Sequence, residues 1–289
     1  MITFLGTGLL GANFVRAALR RGESVTVYNR TRAKAEALAQ LGARVADSPR
    51  EAVTSAERVH IVLSDDAAVD EVLEAALPAL SPQAVIIDHT TTSVTGTRAR
   101  RERLTQRGVA FQHAPVFMGP QNALDATGVM LISGASERVE ALRPVLEKMT
   151  GKLSYLGPDP ERAAAFKLMG NLFLMFITAG LSDVLTLGKA LGIPPQEAAT
   201  LFDVFNPAVT LAPRLTRILG AEFHKPSWEL AMARKDARLM LEEGVQGNSP
   251  LAMLPAIAEV MDRFIVRGHG KDDWTVIAKD ALPGKTTGP

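Results

Sequence analysis

The chain opens with a short apolar run, Ile2-Thr3-Phe4-Leu5, that ends at once in Gly6-x-Gly8-x-x-Gly11. An amphipathic stretch follows, with Phe14, Val15, Ala18 and Leu19 on one side and Arg16, Arg20 and Arg21 on the other. A strand, a glycine turn and a helix start in that order form the dinucleotide-binding fingerprint in its required context. Gly6 permits the tight turn, Gly8 lets the backbone approach a pyrophosphate, and Gly11 lets the helix pack close to the strand. The helix N-terminus offers unpaired N–H groups and a positive dipole end to phosphates. Gly6, Thr7, Gly8, Leu9, Leu10 and Gly11 are therefore the candidate phosphate-binding segment.

The next strand, at 24–28, ends in Asn29-Arg30-Thr31-Arg32. A site specific for NAD usually carries an Asp or Glu about 20 residues past the glycines, bonded to the ribose 2′-hydroxyl. Here Asn29 and Arg30 stand in that place, and no carboxylate is present to repel a phosphate. Arg30 can pair with a 2′-phosphate in a bidentate way. Thr31 can donate a hydroxyl and also sits at a helix N-cap position, and Arg32 and Lys34 add positive charge. The expected cofactor is NADP(H).

Further strands are predicted at 43–45, 58–63, 84–87, 110–112, 129–133 and 152–155, with helices between most of them. Ser48-Pro49-Arg50-Glu51 reads as a capping box with Pro at the first helical position. Such alternation predicts an α/β fold with a parallel sheet covered by helices on both faces. Past Gly157-Pro158-Asp159-Pro160 no convincing strand remains. Residues 161–191 contain no proline and predict one helix of roughly 45 Å. Shorter helices are predicted at 195–205, 211–219, 228–243, 250–267 and 274–281, and residues 283–289 read as a mobile tail. The expected division is a Rossmann domain over 1–158, an interdomain helix over 159–192 and an all-helical domain over 193–289.

Composition removes several classes of function. Net charge is +1, which argues against a general nucleic-acid or membrane-surface role. Without cysteine there is no thiolate chemistry, and the five histidines lack ligand spacing, so no metal is expected. The same lack of cysteine fits a reducing compartment, and a cytoplasmic location is expected. The N-terminal apolar run lacks a basic flank and is better explained by the nucleotide turn than as a signal peptide. The apolar block at 168–181 is shorter than the about 20 residues of a spanning helix, and is expected to be a buried core helix of a soluble protein.

Lys167 and Asn171 are four apart on the long predicted helix and share a face. Their neighbours are Phe166, Leu168, Met169, Leu172 and Phe173. Hydride addition to a carbonyl creates an alkoxide that needs a proton donor, and a lysine ammonium can stabilise and protonate it. Asn171 can hold the same oxygen or fix the lysine. On spacing alone, a Lys167 that snorkels to the surface is an equal alternative. Asp88-His89-Thr90-Thr91-Thr92-Ser93 follows a strand at the sheet's carboxyl edge, where open α/β sheets bind ligands. Its hydroxyls can bond a ribose, a carboxamide or a substrate carboxylate, or Thr92 or Ser93 can cap the next helix. Lys235-Asp236 alone is ordinary surface charge.

In combination these residues resemble the β-hydroxyacid dehydrogenase family, which includes 3-hydroxyisobutyrate dehydrogenase and the glyoxylate/succinic semialdehyde reductases and is related to the imine reductases. The likeness runs from Met1 to about Ala281, with the motifs in the family's order. It implies a Rossmann domain, a long interdomain helix and an all-α domain that dimerises. It also implies that Lys167 is the general acid/base and Asn171 its substrate-binding partner. Thr91 and Lys235 would contact the cofactor, Leu63 and Ser64 would line the adenosine side, and Thr92 and Ser93 would face substrate. The family's Ser-Gly-Gly after Ala-Pro-Val is replaced here by Phe117-Met118-Gly119, which points away from a small hydroxy acid and towards a more apolar carbonyl compound.

The leading expectation is thus an NADPH-dependent reductase of an aldehyde, keto or semialdehyde compound, assembled as a homodimer or homotetramer. An imine reductase acting on apolar cyclic imines is the nearest alternative; its relatives usually carry Asp or Tyr where Lys167 stands. A non-catalytic NADP-binding redox sensor is a second.

Overall fold

The computed structural model describes residues 1–283, and the tail at 284–289 lies outside the described residues. In chain order the elements are β1 (Ile2–Leu5), α1 (Leu9–Arg20), β2 (Val25–Tyr28), α2 (Arg32–Ala39), β3 (Arg44–Val45), α3 (Pro49–Val53), β4 (Arg58–Ile61), α4 (Asp66–Ala76), β5 (Val85–Asp88), α5 (Val94–Gln106) and β6 (Ala110–His113). There follow β7 (Val116–Phe117), α6 (Pro120–Leu124), β8 (Val129–Ile132), α7 (Ser136–Leu146), β9 (Lys152–Tyr155) and α8 (Arg162–Ala190). The chain ends in α9 (Pro195–Ala199), α10 (Leu201–Val204), α11 (Leu211–Gly220), α12 (Leu230–Gln246), α13 (Leu254–Phe264) and a 3₁₀ segment, Trp274–Ala281.

The first sheet is wholly parallel, with strand order β3-β2-β1-β4-β5-β6. The chain winds outward from β1 to β3, then returns to the other side of β1 for β4. That reversal is the switch point where an open α/β sheet leaves a ligand crevice. The alternation of side chains along each strand feeds two cores. Phe4 and Ile87 pack on one face with Phe14, Val15 and Leu38. Leu5, Ile61 and Ile86 pack on the other with Val69, Leu73 and Leu104.

The strand reading missed β7, and the last two predicted strands belong to a separate small sheet. There β7 runs antiparallel to β8, and β8 parallel to β9. Two residues, Val116 and Phe117, are too few to show a period, and only their partners Met130 and Val129 make them a strand. The capping box also differs in detail. Ser48 accepts from the Glu51 N–H, but the Glu51 carboxylate turns to the Asp47 N–H.

Compact packing divides the chain into Met1–Leu172 and Phe173–Pro289, within α8. The second unit has its own core of Phe223, Leu230, Ala233, Met261, Phe264 and Val276. Asp183 closes the start of α13 by accepting the amides of Ala252, Met253 and Leu254, each at 2.9 Å. Buried Asp273 ties Ser227, Thr275 and Arg217 together. Burial opposes its charge, but the bonds from Thr275 and Ser227 hold its carboxyl well below the usual range.

The long apolar helix departs from its expected burial. Met175 is 68% exposed and Phe176 60%, and Met169, Leu172 and Phe173 are exposed as well. By length and composition α8 could cross a membrane, and the single chain does not cover its apolar face. Composition reads the same whether such a face packs inside one chain or against another surface, so the sequence could not tell these apart.

A buried aromatic row runs under the sheet's carboxyl edge: Phe4 stacks on His60, His60 on His89, and His89 tilts against Phe14. The Ala114 carbonyl can only accept, so His89 carries its proton on Nδ1, 2.7 Å away. His89 Nε2 therefore accepts from His60 Nδ1–H at 2.9 Å. Burial keeps both rings neutral, pushing His89 down to about 4 and His60 well below its ordinary value. The unfolded chain takes up protons on both near 6.5, and the folded chain does not. Stability is therefore full above about pH 6.5 and falls as pH is lowered towards 4, by about 3 kcal/mol from His89 alone. The urea midpoint should fall across that window; a midpoint constant from pH 6.5 to 4.5 would contradict a neutral pair.

Candidate functional site

The carboxyl ends of β1, β2, β4 and β5 surround a cavity of about 640 Å³ that extends to Lys167. The glycine turn forms its floor, and each glycine is there for a different reason. Gly6 has φ of +102°, and a Cβ on it would lie 2.1 Å from the Val62 carbonyl oxygen. A Cβ on Gly11 would lie 2.2 Å from the Gly6 carbonyl oxygen. A Cβ on Gly8 would meet no protein atom within 4 Å, because Gly8 faces the open cavity. The first intrahelical bond of α1 is donated by Ala12 to Gly8, so the amides of Leu9, Leu10 and Gly11 precede it. Those three residues line the cavity, and the first turn of α1 has no acidic residue. This end of the cavity suits an anion.

Thr7 is buried beside the turn rather than lining the cavity. Its N–H donates to Asn29 Oδ1 at 2.9 Å, and Asn29 Nδ2 donates to the Thr31 carbonyl at 3.0 Å. Asn29 thus locks the glycine turn to the end of β2. Arg30, Thr31 and Lys34 are exposed and line the cavity. Thr31 begins α2 without a side-chain capping bond, which leaves its hydroxyl for a ligand. Arg32 instead pairs with Glu36 and Asp47.

Leu63 and Ser64 form the facing wall with one side of α4, made of Ala68, Glu71, Val72 and Ala75. Their i, i+3, i+4, i+7 spacing marks one helix face, a signal present in the sequence but not used. Tyr28, Val62, His89 and Val116 are further lining residues that sequence reasoning missed, whereas Thr90 belongs to the hydroxyl run it singled out. Asp65 caps α4, and its carboxyl is lowered by the Ala68 amide and the Ser64 hydroxyl, with a smaller contribution from the Arg30 charge.

The hydroxyl-rich run after β5 splits in two. Thr90 and Thr91 line the cavity. The Thr92 hydroxyl bonds that of Thr97 at 2.8 Å, and Ser93 caps α5 by accepting from the Gly96 N–H at 2.9 Å. Thr90 joins two walls: its N–H donates to Asp88 Oδ1 at 2.9 Å, and its Oγ1 accepts from the Leu63 N–H at 3.0 Å. Behind them Arg100, fully buried, bonds Asp70 at 2.9 Å and Asp66 at 3.0 Å and lies 3.7 Å from Asp88 Oδ2. Asp66 in turn accepts the Ser93 N–H at 2.8 Å. Burial opposes the charge of Asp88, but its contacts with His113 and Thr90 outweigh that and lower its carboxyl.

At the far end Lys167 is only 8% exposed, and burial lowers its ammonium below the usual lysine range. Its Nζ donates to Asn171 Oδ1 at 2.8 Å and stands 4.3 Å from the centre of the Phe117 ring. Lys167 lines the cavity with Met118 and Val116; Phe117 and Asn171 do not line it, and support Lys167 instead. Gly119 N–H donates to Asn122 Oδ1 at 2.9 Å at the start of α6, away from the cavity. Lys235, on α12 in the second unit, pairs with Asp236 at 2.6 Å. Among the described residues no cluster of side chains could hold a metal ion.

Residues 1–157 match the NAD-binding domain of 6-phosphogluconate dehydrogenase. YfjR, an oxidoreductase of Bacillus subtilis, is 27% identical over 96% of this chain and 98% of its own length. The 2-(hydroxymethyl)glutarate dehydrogenase of Eubacterium barkeri is 24% identical over 96% of this chain and 93% of its own length. The human cytokine-like nuclear factor N-PAC is 30% identical over 96% of this chain, which spans 50% of that longer protein. The imine reductase from Myxococcus stipitatus, solved with NADP+, superposes with a TM-score of 0.90 at 25% identity, covering 98% of this chain and 100% of that one. The chain belongs to the family of the 6-phosphogluconate dehydrogenase NAD-binding domain, as an oxidoreductase of the hydroxyacid dehydrogenase and imine reductase group that binds a nicotinamide dinucleotide.

Proposed function

We propose that the protein is an NADPH-dependent reductase of an aldehyde or ketone, with Lys167 as general acid and, in the reverse direction, general base. The observation that carries this reading is a nearly buried ammonium in the same cavity as the glycine turn. When bound, a reduced nicotinamide supplies hydride to the carbonyl carbon. Lys167 Nζ stabilises the negative charge that grows on the carbonyl oxygen and then gives that oxygen a proton. Asn171 Oδ1 holds Nζ in place. Burial of Lys167 eases proton release. Val116 and Met118 make the wall beside Lys167 apolar, which favours an apolar carbonyl over a small hydroxy acid. The open space over Gly8 and the amides of Leu9, Leu10 and Gly11 fit a pyrophosphate, and Arg30, Thr31 and Lys34 fit a 2′-phosphate.

Reduction of apolar cyclic imines is the second reading. The imine reductase likeness and the apolar Val116–Met118 wall favour it; Lys167, where the imine reductases usually carry Asp or Tyr, favours the carbonyl. A screen of NADPH oxidation over aldehydes, keto acids and cyclic imines separates the two, and NADPH binding with no turnover of any of them would support a redox sensor. We further propose a homodimer or larger, because exposed Met169, Leu172, Met175 and Phe176 form an apolar stripe that single soluble chains rarely leave open.

Lys167→Ala should lower kcat by about two to four orders of magnitude while leaving NADPH affinity nearly intact. Single-turnover hydride transfer at the parent rate would refute the assignment. Arg30→Asp should weaken NADPH by about 2 kcal/mol and leave NADH nearly unchanged; equal efficiency of the parent with both cofactors would overturn the NADPH preference. Light scattering at micromolar concentration should give at least twice the 30.9 kDa chain mass, and a monomer would reject the assembly.

A further inference from the structure

Lys167, Gly170 and Asn171 stand at i, i+3 and i+4 on α8 and share one face. Glycine is among the poorest residues for a helix interior, so its place in α8 calls for a packing reason. The reason is Phe117, at the end of β7. A Cβ on Gly170 would lie 2.2 Å from Phe117 Cζ and 2.6 Å from Cε1, so the ring tip rests on bare helix backbone. The ring face meets the Lys167 ammonium 4.3 Å from the centroid, and Asn171 Oδ1 takes an N–H from the same nitrogen at 2.8 Å. Neither Phe117 nor Gly170 lines the cavity.

We infer that Gly170 and Phe117 act as a matched pair of positioning residues: Gly170 seats the Phe117 ring, and the ring and Asn171 together fix the Lys167 ammonium at the cavity wall. A lysine on a flexible four-carbon stem, held by a single hydrogen bond, keeps much of its freedom. An aromatic face attracts the cation and excludes water from one side of it. The large residue at 117 and the missing side chain at 170 are two halves of one packing solution. Any side chain at 170 evicts the ring, and any smaller residue at 117 leaves a void beneath the ammonium. This inference rests on Lys167 being the proton donor.

The test uses the full chain as Gly170→Ala, Phe117→Ala and the double variant, with two readouts. The first is NADPH oxidation with butanal as probe carbonyl. The second is the rate of reductive methylation of Lys167 by formaldehyde and borohydride, followed by peptide mass, which needs no turnover. Gly170→Ala should leave Tm unchanged or raised, yet lower kcat about 10- to 100-fold with the KM for NADPH nearly unchanged. Phe117→Ala should do the same, and the double variant should be no worse than Phe117→Ala alone. Lys167 should be methylated faster in all three. Parent kcat and methylation rate in Gly170→Ala overturn the pairing, as do losses that multiply in the double variant. If Gly170→Ala does not fold, Phe117→Leu keeps apolar volume without the ring face and carries the same expectation. Full activity in Lys167→Ala refutes the general acid separately, and the methylation rates then decide the pairing alone: unchanged rates reject it.

Discussion

The approach of α1 to β1 is the contact on which the rest of the first unit depends. A side chain on Gly11 would drive into the Gly6 carbonyl, and one on Gly6 into the Val62 carbonyl. Backbone therefore packs on backbone at the meeting point of β1, α1 and the loop after β4. That closeness puts Leu9, Leu10 and Gly11, whose amides precede the first intrahelical bond of α1, at the cavity lining. Asn29 extends the same lock to the second strand by holding the Thr7 amide, which brings Arg30 and Thr31 to the rim.

Polar groups hold the opposite wall. Arg100 is the largest fully buried side chain, and it is surrounded by Asp66, Asp70 and Asp88. Such a charge is tolerated inside a protein only when it is paired and hydrogen-bonded. Here the pairing has a geometric result, because Asp66 starts α4 and anchors the Ser93 amide, while Asp88 anchors Thr90, which receives the Leu63 amide. The loops after β4 and β5, 27 residues apart at Leu63 and Thr90, are thereby bonded side by side along the cavity wall. The neutral pair of His60 and His89 lies beneath the same edge, and His89 reaches the lining.

Lys167 stands on an element of a different character. α8 supplies both the buried ammonium and a long exposed apolar stripe. The catalytic proposal and the assembly proposal therefore concern one helix.

Much of this was legible in the sequence because it is carried by local rules. The glycine spacing, the alternation of strands and helices, the capping Ser48 and the proline-free run of α8 each act within a few residues, so pattern alone reveals them. The missing carboxylate after β2 is equally a matter of one position. Tertiary structure decided the rest. Only the fold could show that Asn29, which lines the cavity beside Arg30 and Lys34, also holds the Thr7 amide, because the string alone does not reveal that second bond. Only packing could divide Thr90 and Thr91 from Thr92 and Ser93, since a hydroxyl caps a helix or lines a cavity according to the direction of the chain after β5. The strand at Val116 and Phe117, the seat of Phe117 on Gly170 and the exposure of α8 depend on partners dozens of residues away or beyond the chain. Local sequence sets what each segment can form; which side chains meet is decided by long-range contacts that no short pattern encodes.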